Sequence, residues 1–338
     1  MLYPIARSLL FRLDPETAHT LSLTALDQAA RCGLVQPGHL VSTRTRTVMG
    51  LTFANPLGIA AGLDKNGTFI HGLAALGVGF IEVGTVTPRP QNGNPRPRVF
   101  RLPTVEGLIN RLGFNNHGVA ALVEQVRQRR PSALLGINIG KNFDTPMERA
   151  VEDYRSALIA AAPHADYVTV NISSPNTQNL RQLQGTEALP PLLRALHEER
   201  LRLVEDLGRP LPIAIKIAPD LTPAALTDIA QILVEEHMDA VIATNTTITR
   251  DPVLHLPHGQ EIGGLSGAPL HEKSLAVVAH LARTLDGALP IIGVGGITSA
   301  AQAQAMLTTG AQLIQVYTGL IYRGPDLIRE ILESDRPI

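Results

Sequence analysis

From residue 56 onward the chain alternates short, wholly apolar runs with longer stretches of helical character. Eight runs read as strands: Leu57–Ala60, Phe80–Val83, Leu135–Ile139, Tyr167–Val170, Ile213–Ile217, Ala240–Ala243, Ile291–Val294 and Leu313–Val316. Uninterrupted apolar runs of this length suit parallel strands covered on both faces. Segments rich in Ala, Leu, Glu and Arg, such as Val119–Arg130, Ala224–Glu236 and Leu275–Leu285, separate several of them and predict helices. Eight such units over about 280 residues predict an α/β fold, a (β/α)8 TIM barrel. A doubly wound sheet would call for a Gly-rich dinucleotide turn after an early strand. The nearest candidate, Gly293-Val294-Gly295-Gly296, lacks the third glycine and follows the seventh run.

Ahead of the barrel the period changes. Leu2, Ile5, Ala6, Leu9 and Leu10 form one apolar stripe at helical spacing, with Arg7 on another face. Asp14 offers an N-cap, Pro15 suits the first helical position, and Glu16 suits the positive end of the helix. Ala18, Leu21, Leu26 and Ala29 continue that second helix until Gly33. Thr47 to Phe53 reads as a hairpin turning at Gly50. The expected organisation is a small N-terminal α-helical extension, residues 1–40, and a barrel domain, residues 41–338.

Composition narrows the function classes. The 29 Lys+Arg against 30 Asp+Glu leave a net charge of -1, which removes the bulk electrostatic case for a nucleic-acid partner. A single cysteine, Cys32, leaves no disulfide framework and no thiolate cluster for a metal. No apolar run reaches the roughly 20 residues of a membrane span. Arg7 and Arg12 interrupt the first apolar stretch, against a signal peptide. On composition alone the expectation is a soluble, cytoplasmic chain.

The chemistry gathers where the eight runs end. Their exits read Ala61-Gly62-Leu63-Asp64-Lys65, Gly84-Thr85, Asn138, Asn171, Lys216, Thr244-Asn245-Thr246, Gly295-Gly296 and Tyr317-Thr318-Gly319. In a barrel all of these converge on one rim, the face that carries active sites. An isolated Asn or Thr ending a strand is more often a turn former or cap, but two lysines and three asparagines together are not explained that way. The glycines after strands seven and eight, with Gly267, suit backbone binding of a phosphate. Lys216, inside an apolar strand, suits either a fixed cation beside an electron-rich ring or a Schiff base, and an ion pair is the structural alternative. Asn171-Ile172-Ser173-Ser174-Pro175-Asn176-Thr177 lacks the Gly-x-Ser-x-Gly elbow of an acyl nucleophile. Its amides suit a ring bearing carbonyls and N–H groups, and Ser174 or Thr177 is positioned to move a proton.

At these residues the sequence resembles the dihydroorotate dehydrogenase family, specifically its membrane-associated, quinone-reducing class 2. The resemblance runs in order through Asn55 to Gly58, Ala60 to Lys65, Glu82 to Pro90, Gly107 to Asn116, Gly136 to Asn142, Asn171 to Thr177, Val241 to Thr247 and Gly293 to Ile297. It implies oxidation of (S)-dihydroorotate to orotate in pyrimidine biosynthesis, with FMN as hydride acceptor and ubiquinone or menaquinone as final acceptor. FMN would be touched by Ala61, Gly62, Leu63, Asp64, Lys65, Thr85, Asn138, Asn171, Lys216, Thr244, Gly267, Gly296, Tyr317 and Thr318. Lys65 would answer the substrate carboxylate, and Asn110, Arg111, Leu112, Gly113, Phe114, Asn171, Asn176, Asn245 and Thr246 would surround its ring.

The same resemblance makes Ser174 the base, helped by Thr177 and Phe114, where the cytosolic class has cysteine. His19 and Arg101 resemble residues near the quinone end of a tunnel through the N-terminal helices. Those helices would lie on the membrane surface, placing the enzyme peripherally on the cytoplasmic side of the inner membrane. No metal is implied. One departure is Gln178-Asn179, where the family commonly has Pro-Gly, so the motion of the loop over the substrate is expected to differ. The Pro88, Pro90, Pro95 and Pro97 stretch reads as a stiff insertion after the second strand.

Overall fold

The computed structural model describes residues 3–35, 45–127 and 133–334. Eight parallel strands close into a barrel: β3 (Leu57–Ile59), β4 (Phe80–Val86), β7 (Leu134–Ile139), β8 (Tyr167–Asn171), β9 (Ile213–Ile217), β10 (Ala240–Ala243), β12 (Ile291–Val294) and β13 (Leu313–Val316). The ring is sealed where β13 pairs with β3, Ile314 opposite Leu57 and Val316 opposite Ile59. Around it lie α3 (Ile70–Ala74), α4 (Val119–Val126), α5 (Ala150–Ala161), α6 (Leu189–Leu207), α7 (Pro223–Glu235), α8 (His271–Leu285), α9 (Ala300–Thr309), α10 (Thr318–Arg323) and α11 (Pro325–Ser334).

Side-chain alternation divides the core. Ile81, Val83, Ile137, Val168 and Val170 point outward into the main cluster shared with the helices, while Phe80, Tyr167, Ala214, Ala240, Ile242, Ile292 and Leu313 fill the interior. The hairpin β1 (Arg46–Val48) and β2 (Leu51–Phe53) plugs that interior from below. Phe53 meets Phe80 edge-on at 5.2 Å, and Phe80 meets Tyr167 at 6.4 Å. Room for these rings comes from glycine: a Cβ on Gly58 would lie 2.4 Å from the Phe80 ring, and one on Gly136 would lie 2.3 Å from that of Tyr167. Two residues further along the same strands the inward positions turn polar, with Glu82, Asn138, Thr169, Lys216 and Gln315 all buried. An apolar base thus carries a polar storey, and the cavity opens above it.

The N-terminal helices α1 (Tyr3–Leu10) and α2 (Pro15–Arg31) form as the capping signals predict, with the Asp14 carboxylate accepting from the amides of Glu16 and Thr17. Asp27 on α2 accepts from the amide of Gly72 at 2.9 Å, and Leu23 joins the main core. The 40/41 boundary falls among residues outside those described. The helix expected over Val119–Arg130 ends at Val126 with Arg127 as its cap, and residues 128–130 of that expectation lie outside those described.

Three antiparallel strands, β5 (Val99–Leu102), β6 (Gly107–Asn110) and β11 (Gly264–Gly267), form a sheet that the apolar runs did not predict. The proline stretch expected to be a stiff insertion leads into it. A strand such as Gly-Leu-Ser-Gly has too little apolar character to announce itself, and its pairing partner lies more than 150 residues away in the chain.

Candidate active site

Loops from the C-terminal ends of the strands, together with the ends of β6 and β11, enclose a cavity with about 980 Å³ of non-protein space, its mouth included. Lys65 enters from the β3 exit, Thr85 from β4, Asn171 and Ser174 from β8, and Lys216 from β9. Asn245 and Thr246 enter from β10, Gly296 from β12, and Tyr317 and Thr318 from β13. Asn110, Leu112, Gly113 and Phe114 arrive from β6 and the segment after it.

A directed hydrogen-bond chain supports the wall. Asn171 donates to Thr85 Oγ1 at 2.9 Å, Thr85 donates to Asn138 Oδ1 at 2.6 Å, and Asn138 donates to Glu82 Oε1 at 2.8 Å. Tyr167 and Gln315 donate to the other Glu82 oxygen at 3.1 and 2.8 Å. Every side chain that reaches Glu82 donates to it, so the chain of donors ends on its carboxylate. The Asn171 amide oxygen is thereby left to accept from the Ser173 hydroxyl at 3.0 Å and from Asn245 Nδ2 at 3.3 Å. Lys216, buried in the same storey, forms no hydrogen bond to another described residue. Desolvation lowers its pKa, against the attraction of Glu82.

The loop after β8 presents the serine. Ser174 is buried, and its Oγ accepts from the Asn176 amide at 3.2 Å. Asn176 Nδ2 reaches across to the Asn110 carbonyl at 3.1 Å, joining this loop to the small sheet. Thr177, expected to help Ser174 move its proton, is buried just behind the cavity lining, and its hydroxyl has no hydrogen-bond partner among the described residues. An orphan hydroxyl of this kind is suited to holding a water. Phe114 lines the cavity with φ 54, a left-handed conformation that is costly for an aromatic residue and is found where a site over-determines the backbone.

In the same cavity glycine makes a cradle. Gly267 has φ +90 and Gly296 φ +70, and a Cβ on Gly296 would lie 2.5 Å from the His271 amide nitrogen. Backbone on which no side chain fits can approach a phosphate closely. Thr318 donates to Ser266 at 2.9 Å at the edge of the same hollow. The cradle, the Lys216 ammonium and the amide wall together fit a flat ligand that carries a phosphate and a ring able to take up negative charge, as a flavin nucleotide does.

Lys65 donates to the Gly62 carbonyl at 2.9 Å, and burial brings its pKa down to about 8. Glu16 at the start of α2 opposes that shift and is itself paired with Arg98 at 2.8 Å. His19 on α2 is held neutral, its pKa lowered to about 4 by burial and by Lys65. Arg101 sits farther out, donating to the Leu13 carbonyl at 2.9 Å and covering the Phe11 ring at 4.6 Å.

The sequence model of the family described as dihydroorotate dehydrogenase matches residues 44–334. The chain belongs to the dihydroorotate dehydrogenase family. Curated relatives named dihydroorotate dehydrogenase (quinone) include that of Nitrosomonas eutropha, 58% identical over 331 residues, covering 98% of this chain and 96% of the relative. That of Thiobacillus denitrificans is also 58% identical, covering 98% and 99%. A solved structure of DHODH from Eimeria tenella in complex with ferulenol superposes with a TM-score of 0.87 at 36% identity, covering 95% of this chain and 90% of that one. The chain is therefore an oxidoreductase of a flavin-dependent family.

Most residues that the family resemblance singles out meet in the cavity, and a few do not. Leu63 packs in the main core. Asp64 accepts from the amides of Thr68 and Phe69, at 3.0 and 2.7 Å, and holds the β3 exit loop in shape. Asn138 lies one layer behind the wall. Arg111 turns outward to Glu261 at 2.7 Å and stacks over Phe100 at 4.6 Å. Sequence reasoning missed Glu82 and Gln315, although Glu82 breaks an otherwise apolar strand and a lone carboxylate there is a readable signal. Among the described residues no group of three or more His, Cys, Asp or Glu side chains could hold a metal ion, and no helix is long and apolar enough to cross a membrane.

Proposed function

We propose that the chain oxidises (S)-dihydroorotate to orotate in pyrimidine biosynthesis, with FMN as hydride acceptor and a membrane quinone as final acceptor. The observation that carries this reading is the convergence in one cavity of Lys65, Asn110, Asn171, Ser174, Asn176, Asn245 and Thr246 with the cradle at Gly267 and Gly296. FMN, when bound, supplies an acceptor for two electrons at its ring N5.

The chain's own groups bind, orient and move a proton. Lys65 pairs with the substrate carboxylate, and the four amides hold the ring carbonyls and N–H groups in register. Lys216 offers positive charge where negative charge develops during hydride transfer. Ser174 Oγ takes the proton from ring carbon 5 while the hydride leaves carbon 6. An alcohol is a weak base, so this step needs an onward path for the proton. The Thr177 hydroxyl, buried without a partner, is the relay group this reading assigns, acting through a water.

Residues 1–40 act as the membrane-facing unit. Ile5 and Leu9 on α1 are 65% and 59% exposed, while Tyr3 and Arg7 tie the same helix to the Ile321 and Tyr322 carbonyls. An amphipathic helix fixed in this way suits peripheral binding at a lipid interface, on the cytoplasmic side of the inner membrane. Neutral His19 and Arg101 line the approach for ubiquinone or menaquinone between these helices and the cavity. The deciding experiment is a flavin spectrum before and after anaerobic dihydroorotate, followed by reoxidation with a quinone analogue or fumarate. Bleaching and quinone-selective recovery support the reading. A colourless protein, or one whose colour dihydroorotate leaves unchanged, refutes it.

A further inference from the structure

The loop carrying Ser174 returns into a short 3-10 turn, Leu180–Gln184, and Arg181 in that turn sends its guanidinium back beneath the loop. Nε donates to the Ser173 carbonyl at 3.0 Å, Nη2 to the Thr246 carbonyl at 2.9 Å and Nη1 to Asp220 Oδ2 at 2.8 Å. These acceptors follow three neighbouring barrel strands, β8, β10 and β9. One planar fork therefore grips the peptide just before Ser174 and the carbonyl of Thr246 at once.

Asp220 is itself locked. It accepts from Lys273 Nζ at 2.6 Å, from the Ile248 amide at 3.1 Å and from the Thr247 hydroxyl. Neither Arg181, Asp220 nor Lys273 lines the cavity. A fork bonded on three sides costs little further entropy to hold, and it ties down the base of a loop that is exposed at Gln178 and Asn179.

We propose that Arg181, fixed by Asp220, is a positioning residue that sets Ser174 and Thr246 in register against the ring carbon that loses its proton. The inference rests on the function proposed above. Proton transfer tolerates little misplacement, and a shift of about 1 Å can cost on the order of 100-fold in rate.

The test uses the full-length, FMN-loaded protein with Arg181→Met and Arg181→Lys. Four quantities are read: flavin content, orotate affinity, the rate of flavin reduction by dihydroorotate, and the isotope effect from deuterium at carbon 5. Flavin content and orotate affinity should stay within about threefold, while reduction falls by about 100-fold in the methionine variant and the carbon 5 isotope effect grows. Lysine keeps the charge but not the fork, so it should recover only a small part of the rate. Reduction within twofold of the parent protein overturns the proposal. So does a loss of rate matched by equal losses of flavin and orotate binding, which marks a merely structural role. If Arg181→Met does not fold, Asp220→Asn takes its place: it leaves both carbonyl contacts available and should show the same signature more weakly, and parental kinetics there overturn the proposal. Failure of the functional reading looks different, because dihydroorotate then leaves the flavin of the unmodified protein oxidised.

Discussion

Lys65 turns its ammonium back onto the carbonyl of Gly62, three residues earlier, at 2.9 Å. A lysine folded onto its own loop holds its charge at the cavity edge without a carboxylate bonded to it, and burial lowers its pKa to about 8. That charge is complete well below pH 8 and is lost as pH rises through it. Binding of an anionic substrate should therefore be strong at pH 6–7 and weaken above about pH 8, since bound carboxylate stabilises only the protonated lysine. Orotate affinity measured by flavin difference spectra against pH checks this. Lys65→Met should weaken orotate by about 100-fold and flatten the profile, the loss expected for a buried charged partner. A pH-independent affinity in the parent protein would remove Lys65 from the carboxylate site.

Ser174 is buried, and among the described residues its Oγ accepts from one backbone amide, that of Asn176, which leaves a second lone pair to take a proton. Ser174→Ala should leave flavin content unchanged and slow reduction by dihydroorotate by about 10²- to 10⁴-fold, the usual range for general base catalysis. Ser174→Cys should keep part of the activity with its pH optimum moved, because a thiol ionises nearer neutrality than an alcohol. Stopped-flow reduction is the measurement, and reduction of the alanine variant at the parental rate would exclude the assignment.

The barrel was legible because its eight strands are short, apolar and separated by helices, and every expected run is a strand within a few residues. Part of the rim was legible for the same reason: Thr85, Asn171, Lys216 and Asn245 at the run ends line the cavity, whereas Asn138 and Asp64 turn into the supporting structure. What stayed hidden depends on contacts between distant segments. Gly264 pairs with Asn110 across the small sheet, and nothing local in Gly264-Leu265-Ser266-Gly267 encodes that partner. Arg111 was misplaced because adjacent residues on a strand end point to opposite sides, so membership of a motif does not ensure membership of the cavity. Arg181 escaped notice because its three partners follow three different strands.

Gly296 tests the cradle separately from the catalytic groups. With φ +70 and a Cβ position 2.5 Å from the His271 amide, alanine must both strain the backbone and push the start of α8. Strain of this kind costs on the order of 1–3 kcal/mol, so Gly296→Ala should weaken FMN by about tenfold or more. Dialysis against limiting FMN, followed by flavin quantitation, reads the effect. The purified variant should lose colour while its far-UV circular dichroism stays that of the parent. Full retention of flavin would place the phosphate elsewhere.

The membrane assignment is separable from the chemistry because α1 buries no residue while its polar anchors face the barrel. Replacing exposed Ile5 and Leu9 with glutamate leaves the Tyr3 and Arg7 contacts intact. Each large apolar side chain moved from water to lipid contributes about 1.5–3 kcal/mol, so the pair should account for at least about a 100-fold change in partition onto vesicles. Ile5→Glu with Leu9→Glu should therefore stop the protein floating with anionic lipid vesicles. Anaerobic reduction by dihydroorotate should continue at the parental rate, and turnover with a long-chain quinone in the same vesicles should fall. If the double variant floats as well as the parent, α1 is an accessory packed on the barrel and the lipid contact lies on another face.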